Sequence, residues 1–120
     1  MTVVPAKALH FETLVGRLSA NPLPPDLAGC SMRVVRIAPG PRTPHLHPHS
    51  VEVMYVVAGT GTTWQDDEPS PVSAGDVVFV EAGVPHATVS AGPGELVLAC
   101  FFPHDDLAAN TVELDAPQRG

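Results

Sequence analysis

The stretch GPRTPHLHPHSVEVMYVVAG, residues 40–59, changes character halfway along. Its first half is turn chemistry, Gly40, Pro41, Pro44 and Pro48, carrying His45, His47 and His49. Its second half alternates as a strand, with Val53, Tyr55 and Val57 on one face and Glu52, Met54 and Val56 on the other. A carboxylate sharing a face with Met54 and Val56 needs a partner, because an unpaired charge among apolar groups is costly. The histidines offer one. Residues two apart on an extended chain point the same way, so His45 and His47 can converge, and Glu52 can join them after the PHS turn. Two neutral imidazoles and a carboxylate make a facial ligand set for a divalent transition metal.

A second segment, GDVVFVEAGVPHATVS at residues 75–90, repeats the theme. A strand leaves Gly75-Asp76, a turn follows at EAGVP, and His86 heads the returning strand, where it would deliver one further imidazole. Around these segments SMRVVRI, TTWQ, VVFV and ELVLACFF read as further strands, AGTG and AGPG as turns, and DDEPSP as a hairpin loop. Strand signals at intervals of about 8–12 residues predict an all-β sandwich or barrel. The 14 prolines and 10 glycines among 120 residues suit short strands and tight turns rather than a helical bundle. The chain divides into an irregular lead-in at residues 1–30, a barrel at 31–102 and a polar tail at 103–120 with one helical turn at DDLAAN. In the lead-in, FETLVGRLSA is a short amphipathic turn or an edge strand, and NPLPPDLAG is a loop.

Composition removes several functions. A net charge of −7 with only 6 Lys and Arg excludes a nucleic-acid partner and an anionic membrane surface. No run approaches the roughly 18 apolar residues of a membrane span, and no signal segment opens the chain, so the expected location is cytoplasmic. Cys30 and Cys100 read as buried thiols of a reducing compartment, with a disulfide as the lesser alternative. No nucleophile elbow, phosphate-binding loop or zinc-ribbon spacing competes with the histidines.

Together the two segments resemble the two signature motifs of the cupin superfamily. The first, G-x5-HxH-x3,4-E-x6-G, is met at His45, His47, Glu52 and Gly59, with Gly40 one residue closer to the first histidine. The second, G-x5-P-x-G-x2-H-x3-N, is met at Gly75, Gly83 and His86, while Glu81 replaces its proline and Ser90 its asparagine. The resemblance covers residues 31–102. It implies a single-domain jelly-roll β-barrel with one divalent transition metal ion in its mouth (Fe, Mn, Zn, Ni, Co or Cu), held by His45, His47, Glu52 and His86. Alternation then places Met54 and Val56, with Thr88 and Ser90 beyond His86, along the cavity.

His49 shares the side of His45 and His47, but pairing it with His47 leaves only Ser50 and Val51 before Glu52, and Pro48 turns the chain. It reads as a rim or supporting group. His10 and His104 read as surface residues, and Tyr55, Trp64 and Phe79 as core or dimer-face aromatics. The resemblance implies a metal-dependent enzyme acting on a small molecule, of dioxygenase, isomerase/cyclase or lyase type. The alternative is a non-catalytic metal- or small-ligand-binding module, an accessory or sensor protein. A homodimer is expected, both from the family and from LHFETLVG, which could add a strand to a neighbour.

Overall fold

A computed structural model describes residues 2–120. The lead-in holds a single 3-10 turn, Ala6–Ala8, then a hairpin of β1 (Glu12–Leu14) and β2 (Arg17–Ala20). Next come β3 (Ser31–Ile37), β4 (His45–Leu46), β5 (Glu52–Ala58), β6 (Thr60–Gln65) and β7 (Glu68–Ser73). The last four are β8 (Val77–Val80), β9 (His86–Ser90), β10 (Leu96–Phe102) and β11 (Val112–Glu113). They form two antiparallel sheets, ordered β1-β2-β3-β10-β5-β8 and β11-β4-β9-β6-β7. Neighbours distant in sequence, such as β3 beside β10, give the crossed connections of a jelly roll.

Alternation decides what fills the space between the sheets. Val35 and Ile37 of β3, Met54 and Val56 of β5, and Leu96, Leu98, Cys100 and Phe102 of β10 point inward and form one core with Val72 and Val80. The out-pointing residues of β5, β8 and β10 stay apolar. Tyr55 is 50% exposed and Phe79 61% exposed, so neither belongs to the core. Register lines them up: Phe101, Val53 and Phe79 form one row across the outer face, and Tyr55 and Val77 sit opposite each other in the next. Trp64 is half-buried instead, its indole donating to the Gly120 carbonyl at 3.3 Å beneath the Arg119 guanidinium.

Two segments depart from the expectations, and the lead-in takes the edge-strand alternative. The EPSPV sequence is a strand, not a loop, and the turn shrinks to Asp66-Asp67, with Asp66 in the left-handed region at φ 52°. β7 tolerates Pro69 and Pro71 because it is the last strand of its sheet, where a missing N–H costs no partner. The lead-in pairs within its own chain, with β2 against β3 and β1 at the sheet edge. The tail is no free appendage. It makes its turn, then β11 pairs with β4, and Arg42 and Arg119 exchange two backbone hydrogen bonds of 2.8 and 2.7 Å. All five residues of β9 are buried, and Ala87, on the outer side, lines one cleft with Pro117 and Arg119 of the tail. Both cysteines are free. Among the described residues, no helix is long and apolar enough to cross a membrane.

The β5–β6 corner has no room for a side chain. A Cβ on Gly61 would lie 2.1 Å from the Val89 carbonyl oxygen, a rigid backbone atom of the paired strand. Gly94 has nothing within 4 Å of the same position. Gly61→Ala is therefore expected to cost about 3 kcal/mol, and Gly94→Ala less than about 0.5 kcal/mol. Chemical denaturation of the two variants checks this, and equal losses would contradict the packing at the corner.

Candidate metal centre

Both sheets contribute to one cluster at the barrel mouth. His45 and His86 face each other in register on β4 and β9, which brings their ring centroids to 4.5 Å. His47 follows two residues after His45, 5.0 Å from it, and Glu52 opens β5 on the opposite sheet. All four side chains are buried, and one ligand-type atom of each lies within 4.8 Å of the others. This group could hold a metal ion. His49 is not in it. Its ring is exposed and stacks on His104 at 6.4 Å, while its backbone N–H donates to the Asn110 side-chain oxygen at 2.7 Å. His10 is exposed as well.

The hydrogen bonds around the cluster fix its protons. His86 Nδ1 lies 2.9 Å from the Val84 carbonyl, and His47 Nδ1 lies 3.0 Å from the Asn110 carbonyl. A carbonyl only accepts, so both Nδ1 atoms carry the hydrogen. Thr111 Oγ1, 3.2 Å from His47 Nδ1, spends its own hydrogen on the Leu107 carbonyl at 2.7 Å and cannot donate to the ring. In the neutral rings, then, both Nε2 atoms present lone pairs, and both face Glu52 Oε1, at 2.8 Å from His86 and 3.3 Å from His47. Lone pairs directed at a carboxylate repel unless a cation stands among them. Neither His47 Nε2 nor His45 Nδ1 makes a hydrogen bond.

The electrostatics favour the ligating forms. Burial alone would raise the Glu52 carboxyl; against that, donation and positive charge from His47 and His86 when a proton sits on Nε2 hold it well below the usual carboxylate range, and a metal ion would take the place of those protons. Burial, followed by the charges of His86 and Arg17, pushes His45 well below its ordinary value, so it is neutral with a free lone pair. Three imidazoles and a carboxylate suit a divalent transition metal and leave coordination positions for a further molecule. Cys100 stands nearby in the wall, but burial and then Glu52 push its thiol well up, so it is no thiolate ligand.

The cluster opens into a cavity of about 330 Å³. Met54 and Thr88, each two residues along the strand from Glu52 and His86, line it. Val56 and Ser90 do not. They lie four residues, roughly 13 Å, along the same strands. Val56 is fully buried in the core, and Ser90 Oγ donates to the Gly94 carbonyl at 2.8 Å within the next turn. Residues that the sequence did not single out take part instead. Arg42, 6% exposed, donates from Nη1 to the Thr88 carbonyl at 2.7 Å, while its buried Nε and Nη2 have no partner among the described residues. Burial and then Arg17 bring it down to about 10, which leaves it charged at neutral pH. Asn110, fully buried, supplies the carbonyl that orients His47. Arg42 stood inside the decisive stretch but read as part of a Gly-Pro turn. Asn110 had no local signal at all.

Comparison with known proteins agrees with this geometry. The family model described as a cupin domain matches residues 33–102. Protein SchB of Streptomyces halstedii is 35% identical over 102 residues, covering 78% of this chain and 74% of SchB. The crystal structure of a predicted oxalate decarboxylase from Thermotoga maritima superposes with a TM-score of 0.78 at 20% identity, over 86% of this chain and 99% of that one. Bacillus subtilis oxalate decarboxylase, studied for its Mn(II) centres, gives a TM-score of 0.71 at 23% identity, over 85% of this chain and 29% of that one. With the family's two motifs, its double-sheet barrel and a matching family model over more than half its length, this chain belongs to the cupin family.

Proposed function

We propose that this chain is a metal-dependent enzyme whose cavity takes a small molecule with an oxygen for the metal and an acidic group for Arg42. The observation that carries the reading is the pair of imidazoles, His47 and His86, committed through Nδ1 to carbonyls and directing Nε2 at one buried carboxylate oxygen. Bound there by His45, His47, Glu52 and His86, a metal would act as a Lewis acid or pass electrons to oxygen. The chain's own contribution is position and charge. Nε and Nη2 lie along one edge of a guanidinium, the edge by which Arg36 meets Glu95 at 3.1 and 2.8 Å. On Arg42 that edge is buried and has no partner among the described residues, and it would match the paired oxygens of a carboxylate or enolate that reached it. Met54, Leu98 and Phe102 give the rest of the ligand an apolar wall. Manganese(II) is the first candidate ion, since one structural relative is described with Mn(II) centres. Decarboxylation, isomerisation or cyclisation, and oxygenation all suit such a ligand.

The test is to strip the purified protein, reload it with single metals, and assay carboxylic acids for CO2 release and enolisable diketones and catechols for product and oxygen uptake. Metal-dependent turnover that Arg42→Met abolishes with the metal still bound supports the reading. Stoichiometric metal without turnover of any of these compounds would point to a binding module. His45→Ala and Glu52→Gln are expected to lower metal affinity by more than the roughly 10–100-fold that loss of an outer hydrogen-bond partner causes. His49→Ala is expected to leave it nearly unchanged, as measured by metal analysis after dialysis.

Acid should destabilise the metal-free chain in two stages. His45 and Glu52 both ionise below their ordinary values in the fold, so on acidification the unfolded chain binds more protons than the folded one. The loss opens below about 6.5, where an unfolded His45 gains a proton that the folded one refuses, and deepens below about 4.5, where Glu52 joins it. Chemical unfolding in chelator across this range checks the profile, and His45→Gln should flatten its upper arm. The apolar rows of Phe101, Val53 and Phe79 and of Tyr55 and Val77 support a homodimer through the outer face of the six-stranded sheet. Phe79→Glu should then give a monomer by light scattering without loss of metal, whereas a monomeric parent chain at micromolar concentration would remove the dimer.

A further inference from the structure

The two ring hydrogen bonds to carbonyls in the cluster differ in where they come from. His86 takes its carbonyl from Val84, two residues away on the same turn. His47 takes its carbonyl from Asn110, 63 residues away in a segment outside the two histidine motifs. From the end of β10 this segment crosses to the edge of the other sheet, and on the way Leu107, Ala108, Thr111 and Glu113 form part of the cavity wall. It is a strap over the mouth.

Polar links, more than apolar packing, hold the strap down. Leu107 alone of its side chains packs on the core. β11 contributes two residue pairs, and Glu113 meets Arg17 of the opposite hairpin at 3.1 Å. The densest attachment is Asn110. Its side-chain oxygen accepts from the His49 N–H at 2.7 Å, its amide donates to Ser50 Oγ at 3.0 Å, and its backbone carbonyl takes the His47 Nδ1 hydrogen at 3.0 Å. One residue with no exposed surface thus ties the strap to His47, His49 and Ser50 of the loop that carries a metal ligand.

We infer that the strap is a metal-coupled cover of the cavity, and that Asn110 is the positioning residue through which closure and metal binding favour each other. The inference rests on the metal reading of the cluster. Its physical basis is one shared imidazole: a cation on Nε2 draws electrons from the ring, makes Nδ1–H a stronger donor, and tightens the bond to the Asn110 carbonyl. Coupling of this kind is reciprocal. Whatever factor the closed strap adds to metal affinity, bound metal adds to the closed state of the strap. Loading the site therefore stabilises the closed wall already seen here, so that the ligand meets the covered pocket more often in the loaded protein.

The experiment is zinc binding, chosen because the ion is diamagnetic, combined with amide hydrogen exchange on the full chain. The Leu114 N–H of the strap donates to the Pro44 carbonyl at 3.0 Å and the His49 N–H of the histidine loop to the Asn110 side-chain oxygen at 2.7 Å, so both report closure. Zinc should slow exchange at these two amides by about tenfold or more, beyond any slowing in β3 and β10. Asn110→Ala should weaken zinc binding by about 10–100-fold and abolish the extra protection at Leu114. Ser50→Ala removes a single link and should move both readouts the same way by less, which keeps the test open if Asn110→Ala fails to fold. Zinc bound by the parent chain with unchanged exchange at Leu114 overturns the coupling and leaves the metal site standing. So does tight zinc binding by folded Asn110→Ala. A parent chain that binds no zinc, manganese or cobalt overturns the metal reading and this inference with it.

Discussion

Glu52 is a carboxylate taken out of water at the first residue of a central strand, and the mouth of the barrel is organised around keeping it charged there. Removing a carboxylate from water costs several kcal/mol unless cationic or donor groups replace the solvent. Here the replacement is three imidazoles, two of which spend their ring hydrogens on backbone carbonyls. What remains at the centre is one carboxylate oxygen with two nitrogen lone pairs within 3.3 Å. Such a centre is poorly balanced by protein alone and well balanced by a divalent ion. The same arrangement that makes the site costly to fold makes it selective for a cation.

Where the donors come from matters as much as what they are. Glu52 belongs to the six-stranded sheet, His45 and His86 to the five-stranded one, and His47 to the loop between them. An ion at their centre would join the two layers at the end where the core gives way to the cavity. At the other end Leu96, Val56 and Ile37 already hold the layers together without help. The apolar core can thus fold the chain while the mouth stays responsive to what occupies it.

The parts of the protein that were legible in the sequence are those governed by local period. Alternation in VEVMYVV separates buried Met54 and Val56 from exposed Tyr55, and the two histidine segments meet because strand register carries them to one end. Illegible parts depend on long-range neighbours. Pro69 and Pro71 argue against a strand until β7 is known to be an edge, and Val56 and Ser90 face inward as expected but too far from the mouth to reach the cavity. Asn110 is an ordinary residue in a polar turn until the tail folds back 60 residues to Ser50. No periodicity encodes that return.

This division has a chemical consequence. The motif residues supply a metal-binding centre, which by itself does not choose a reaction. The walls that a ligand would touch come largely from elsewhere: Arg17 from the lead-in hairpin, Arg33 from β3, and Leu107, Thr111 and Glu113 from the tail. With Arg42, three of the chain's six basic residues gather in this one cavity, in a protein whose net charge is −7. Glu12, Glu52 and Glu113 balance them in number. A divalent ion on the Glu52 cluster would tip that balance to net positive, and Arg42 would then hold its unfilled donors beside an excess of positive charge. An acidic ligand would be the natural complement of such a pocket, and its fit would be set by the two ends of the chain together with Arg33, Arg42 and the inner faces of the core strands.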